Sequence, residues 1–85
     1  IEISGIYFRE GTTANTIGHV EVATNADDLY FHDNYLSCGA NDLQGLTFLG
    51  AQLRPIVVNN IFRVSANGPD EAILVSGVLT SPVIQ

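Results

Sequence analysis

Four carboxylates stand where they could do chemistry: Glu21 within a short apolar alternation, Asp42 beside Asn41, and the adjacent Asp70 and Glu71. A glycosidic bond is cleaved by one carboxyl acting as acid and a second acting as base or nucleophile, about 5–10 Å away. Neighbouring strands lie about 4.8 Å apart, so carboxylates one or two strands from each other fall in that range. His19 sits two positions from Glu21, on the same side of an extended segment, which suits an acid–base pair. Thr47 and Ser76 add hydroxyls at matching places on later segments, and Arg54, just before Pro55, adds a cation for a sugar carboxylate. The catalytic candidates are therefore Glu21, Asp42, Asp70 and Glu71. The substrate-binding candidates are His19, Thr47, Ser76 and Arg54. Acidic loop residues are more commonly just solvated, and no catalytic motif surrounds these.

Composition excludes several classes. The chain has 85 residues, 46% of them hydrophobic, and a net charge of -6. Its basic residues are Arg9, Arg54 and Arg63, with no lysine, which cannot neutralise a row of phosphates; nucleic-acid binding is not expected. No apolar run approaches the ~18 residues of a membrane span, and no stretch with a basic start and an apolar centre reads as a signal peptide. Cys38 is alone, so neither an internal disulfide nor a metal-ligand cluster is expected, and a small buried hydrophobe is its ordinary role. Asp27, Asp28 and Asp33 lack the EF-hand pattern, and Gly45, Gly50 and Gly77 lack the spacing of a phosphate cradle. No metal or cofactor is expected. His32 and Asp33 read as turn residues.

What must position these groups is a repeat. Leu46-Thr47-Phe48 reappears as Ile73-Leu74-Val75, Gly50 as Gly77, Pro55 as Pro82 and Ile56-Val57 as Val83-Ile84, all 27 positions on. A fixed period of this size marks a repeat array. Leu29-Tyr30-Phe31 lies 27 before Ile56-Val57-Val58, whereas Asn34-Tyr35-Leu36 lies 26 before Asn60-Ile61-Phe62, which predicts an extra residue near His32 and Asp33. Ile6-Tyr7-Phe8 aligns with Leu29-Tyr30-Phe31 at a spacing of 23.

Each copy reads as three short strands of period two, joined by Gly, Asn, Asp, Ser and Pro turns. The first set is Val20–Val22, Leu46–Phe48 and Ile73–Val75. The second is Ile6–Phe8, Leu29–Phe31, Ile56–Val58 and Val83–Gln85, and the third Tyr35–Cys38 and Ile61–Val64. Parallel stacking of like strands puts Leu29, Phe31, Ile56 and Val58 inside, and Tyr7, Tyr30, Val57, Ile84, Tyr35, Ile61 and Arg63 outside. So apolar an exterior suggests a contact surface, although cross-strand pairing of such residues also stabilises a sheet.

The segments Phe31-His32-Asp33-Asn34-Tyr35-Leu36 and Val57-Val58-Asn59-Asn60-Ile61-Phe62 resemble the strand–Asn–strand corner of right-handed parallel β-helices of the pectate-lyase-like superfamily. That superfamily includes polysaccharide lyases, glycoside hydrolases, epimerases and phage tailspikes. The resemblance implies that Asn34 and Asn60 occupy the corner, tolerate a left-handed backbone and stack on each other. It implies a sugar groove along the first-strand face, beside Glu21, Thr47 and Ser76.

The expected architecture is all-β: one right-handed parallel β-helix segment over residues 1–85, of about three rungs. A small antiparallel β-sandwich is the alternative. Three rungs need capping, so further chain segments or a homo-oligomer, such as a trimer, are expected, and the chain reads as a piece of a longer polypeptide. The resemblance implies a carbohydrate-directed protein with polysaccharide as partner, extracellular or virion-associated, in which this segment is mainly scaffold. If the parent is an enzyme, it is a polysaccharide lyase or glycoside hydrolase. A structural or adhesive module without catalysis and a small β-sandwich binding module remain open.

Overall fold

The computed structural model describes residues 1–9, 20–23, 26–38, 44–64 and 71–85, and among these it contains strands and no helix. Strand β1 is Glu2–Ser4, β2 Tyr7–Phe8, β3 Val20–Val22, β4 Tyr30–His32, β5 Tyr35–Cys38 and β6 Gln44–Phe48. Then come β7 (Gln52–Leu53), β8 (Ile56–Val58), β9 (Ile61–Val64), β10 (Glu71–Val75), β11 (Leu79–Thr80) and β12 (Val83–Ile84). They form four short sheets, ordered β1-β4-β8-β12, β2-β5-β9, β3-β6-β10 and β7-β11.

Every pairing among the described residues is parallel. Glu2 lies opposite Tyr30, Tyr30 opposite Ile56 and Ile56 opposite Val83, steps of 28, 26 and 27 residues. The chain thus visits the sheets in turn and returns to each one repeat later. An antiparallel sandwich does not produce this pairing.

Three details differ from the sequence expectation. Tyr7 and Phe8 join β5 and β9, while β1 is the partner of β4. The local likeness of Ile6-Tyr7-Phe8 to Leu29-Tyr30-Phe31 misleads, because the corners decide the alignment. Gly5, Asp33 and Asn59 occupy equivalent corners, each with left-handed backbone (φ 68, 54 and 55). Second, Phe31 lies opposite Val57 and not Val58, so no extra residue enters at His32 and Asp33. A shift of one residue exchanges the two faces of a strand: Val57 is 1% exposed and Ile56 is 38% exposed. Third, two of the repeats gain a two-residue strand, β7 in one and β11 in the next, too short to show a period of its own.

Inward columns build the core. Ile3, Phe31, Val57 and Ile84 align in one, and Phe8, Leu36 and Phe62 in the next. Val20, Leu46 and Ile73 form a third, with Val22, Phe48 and Val75 beside it. Phe31, Leu36, Leu46, Phe48 and Cys38 are buried. The rings of Phe8 and Phe31 stack across the corner, with centroids 6.2 Å apart. Each fully buried side chain of this size contributes about 1.5–3 kcal/mol. The repeated glycines also have a steric cause, since a Cβ on Gly77 would collide with the backbone of Gly50 one repeat before it.

Truncation of the central ring, Phe31→Ala, is expected to cost about 3–5 kcal/mol in urea unfolding. Val57→Asp, which buries an unpaired carboxylate, is expected to abolish folding by circular dichroism. Ile56→Asp, one residue away on the outer face, is expected to retain the strand spectrum.

Candidate functional site

The polar groups of the described residues gather at corners and in columns across the strands. At the first corner Asn34 is buried. Its Oδ1 accepts from the Ile6 amide (3.0 Å), and its Nδ2 donates to the Ile3 carbonyl (3.0 Å) and to Asn60 Oδ1 (3.1 Å). Asn60 repeats the pattern: its Oδ1 accepts from the Asn34 amide (2.9 Å) and its Nδ2 donates to the Phe31 carbonyl (3.0 Å). Asn34 and Asn60 therefore stack as the resemblance implied, but the left-handed residue is the one before each of them.

The second corner carries left-handed Asp28, Arg54 and Ser81 (φ 60, 54 and 54). Arg54 grips Asp28 with two bonds, Nε to Oδ1 at 2.6 Å and Nη2 to Oδ2 at 2.9 Å. The hydrogen bond from Arg54 and its charge hold Asp28 below the usual carboxylate range. Arg54, expected to meet a sugar carboxylate, is thus engaged within the chain. Nearby Gln52 is buried and satisfied: Oε1 accepts from the Ala26 amide at 3.0 Å and Nε2 donates to the Ala23 carbonyl.

The expected substrate face does not come together among the described residues. Glu21 is exposed on β3, opposite Thr47, and Thr47 lies opposite Leu74. Glu21 therefore has no second carboxylate in its column. Thr47, expected to point outward, is 3% exposed, and its hydroxyl has no hydrogen-bond partner among the described residues. The Ser76 hydroxyl donates to the Phe48 carbonyl (3.0 Å) and the Leu49 carbonyl (3.4 Å). His19, Asp42 and Asp70 lie outside the described residues, as does the side chain of Glu71.

Two clusters lie on other faces: the first falls on the exterior that the sequence suggested as a contact surface, and the second was not read as a site. On the outer side of β2, β5 and β9, Tyr7 and Tyr35 stack with centroids 4.9 Å apart, and Ile61 continues the column. Beside it Ser37 lies opposite Arg63, and the exposed Arg9 follows directly on β2. Neither arginine has a carboxylate partner among the described residues. On the outer side of β1 and β4, His32 lies between two carboxylates: Nε2 is 2.8 Å from Glu2 and Nδ1 is 2.5 Å from Asp33. Asp33 also accepts from Asn59, and the Tyr30 ring stacks on His32 at 3.9 Å. A protonated imidazole can donate to both carboxylates, whereas a neutral one can donate to only one. The bond to Asp33, and then that to Glu2, raises its pKa. Asp33 is lowered in return, first by His32 and then by Asn59.

The cross-repeat asparagine is expected to matter more than the exposed ion pairs. Asn34→Ala orphans the Ile6 amide and the Ile3 carbonyl, at roughly 1–3 kcal/mol for each group left dry. Asn34→Asp, which sets a buried carboxylate oxygen against the Ile3 carbonyl and Asn60 Oδ1, is expected to lower the denaturant midpoint at least as far at neutral pH. For the lowered carboxylates Asp28 and Asp33 the linkage runs one way: their contribution is present above the ordinary carboxylate pKa, near 4, and is lost as pH falls through their folded values. A melting temperature that drops on acidification below about pH 4 is expected, with a smaller drop in Asp28→Asn.

No protein-family model matches the chain, and neither does a curated protein or a solved structure, so chemistry and geometry carry the functional reading.

Proposed function

We propose that the chain is a segment of a right-handed parallel β-helix from a carbohydrate-directed protein, that it serves mainly as scaffold, and that it offers polysaccharide a binding face on β2, β5 and β9. The β-helix reading is supported by four sheets whose parallel partners all lie 26–28 residues apart, with the corner at Asn34 repeated at Asn60.

The single observation that carries the carbohydrate reading is the Tyr7–Tyr35 stack beside Arg9 and Arg63. Because the two rings stack on each other, they offer a pyranose their edges and hydroxyls, and guanidinium groups donate to its hydroxyls or to a carboxylate. The face is small: three strands span about 10 Å, and residues two apart along a strand about 7 Å. That suits one or two sugar rings and falls far short of the ~800 Å² per partner of a stable protein interface. Binding rather than cleavage is the better reading of the described residues, since Glu21 stands opposite Thr47 and not opposite a second carboxylate.

Affinity electrophoresis through gels containing neutral or acidic polysaccharides tests this reading. Retardation by at least one of them is expected, weakened in Tyr35→Ala and in Arg63→Gln while the circular dichroism spectrum persists. Unretarded migration in every gel would overturn it and favour a purely structural module.

A further inference from the structure

We propose that Glu2, His32 and Asp33 form a proton-operated latch on strand β1, closed when the imidazole carries both protons and opened when it loses one. The geometry assigns each partner a role. Glu2 belongs to β1, which pairs with β4, and Asp33 belongs to the corner that follows β4. The His32 side chain is 16% exposed and the Glu2 side chain 61%. A neutral imidazole has one N–H and serves one carboxylate. Asp33 is the sequence neighbour of His32 and is also held by Asn59, so Asp33 keeps the proton donor and Glu2 is released. The now unprotonated Nε2 faces the Glu2 carboxylate and repels it.

The other groups around the ring carry no charge to take the place of the lost bond. Tyr30 stacks on it from the same strand, Ser4 is its partner on β1 and Val58 its partner on β8. The Tyr30–imidazolium stack also weakens when the charge is lost. Gly5 follows β1, with left-handed backbone (φ 68) and an open Cβ position. Beyond it, Ile6 is anchored by Asn34. Opening therefore loosens the pairing of Glu2–Ser4 with β4.

The sign is fixed. With a raised folded pKa, the latch is fully present below the ordinary histidine value near 6.5 and is lost as pH rises through the raised value. Amide hydrogen exchange by NMR reads it locally. The Tyr30 amide, which donates to the Ile1 carbonyl (2.8 Å), is expected to lose protection by about two- to fivefold between pH 6 and pH 9, after correction for intrinsic exchange, as for a half-exposed ion pair. The Tyr35 amide, bonded to the Ile6 carbonyl at 2.9 Å, is expected to stay constant. Glu2→Gln is expected to remove the pH dependence at Tyr30. Constant protection at Tyr30, an equal loss at Tyr35, or an unchanged profile in Glu2→Gln would overturn the latch.

Discussion

The stacked amides of Asn34 and Asn60 fix the register in which one repeat lies on the next. Parallel strands 26–28 residues apart gain nothing from chain proximity, and their ladder bonds are slightly weaker than antiparallel ones. Backbone pairing alone would tolerate a slipped register. A carboxamide is directional: its oxygen must meet an N–H and its nitrogen a carbonyl. At Asn34 both conditions are met by Ile6 and Ile3 of the preceding repeat, and at Asn60 by Asn34 and Phe31. A slip of one residue would leave buried polar groups dry and turn Phe31 outward, so the asparagines and the core select the same register.

Once the register holds, the outer surface becomes a set of columns. Residues distant in sequence are brought to one strand spacing, and each column acquires a character: Tyr7 on Tyr35, Glu2 beside His32, Asp28 under Arg54. A functional group in such a molecule is therefore a column or a corner, not a run of sequence. The same logic explains why Glu21 has no carboxylate partner there, because the residues one and two repeats on are Thr47 and Leu74.

Two buried polar side chains mark the limits of the repeat. Gln52 fills an inward position that its equivalent, Leu79, fills with hydrocarbon, and it satisfies both ends of its amide on the preceding repeat. It works as a private strut, a version of the asparagine corner used once. Thr47 lies in the central strand of its sheet, on the face expected to be outward, and is buried there. Its expected exposure followed from alternation, which assigns a side chain to a face of the sheet without saying what covers that face.

Strand character, the repeat length and the inward placing of Leu29, Phe31 and Cys38 were legible in the chain alone. These follow from local alternation and from residues that recur at one spacing. The sequence did not determine the register at Val57, the membership of Tyr7 and Phe8, or the extra strands β7 and β11. Short apolar runs such as Ile6-Tyr7-Phe8 align equally well in more than one way, and left-handed corners at Gly5, Asp33 and Asn59 break the tie only in three dimensions. Nor did it show the His32 cluster or the engagement of Arg54, because Glu2 and Asp28 lie 30 and 26 residues from their partners. Side-chain chemistry was written in the chain; which groups meet was decided by the stacking of one repeat on the next, since only that brings such distant charges within hydrogen-bonding reach.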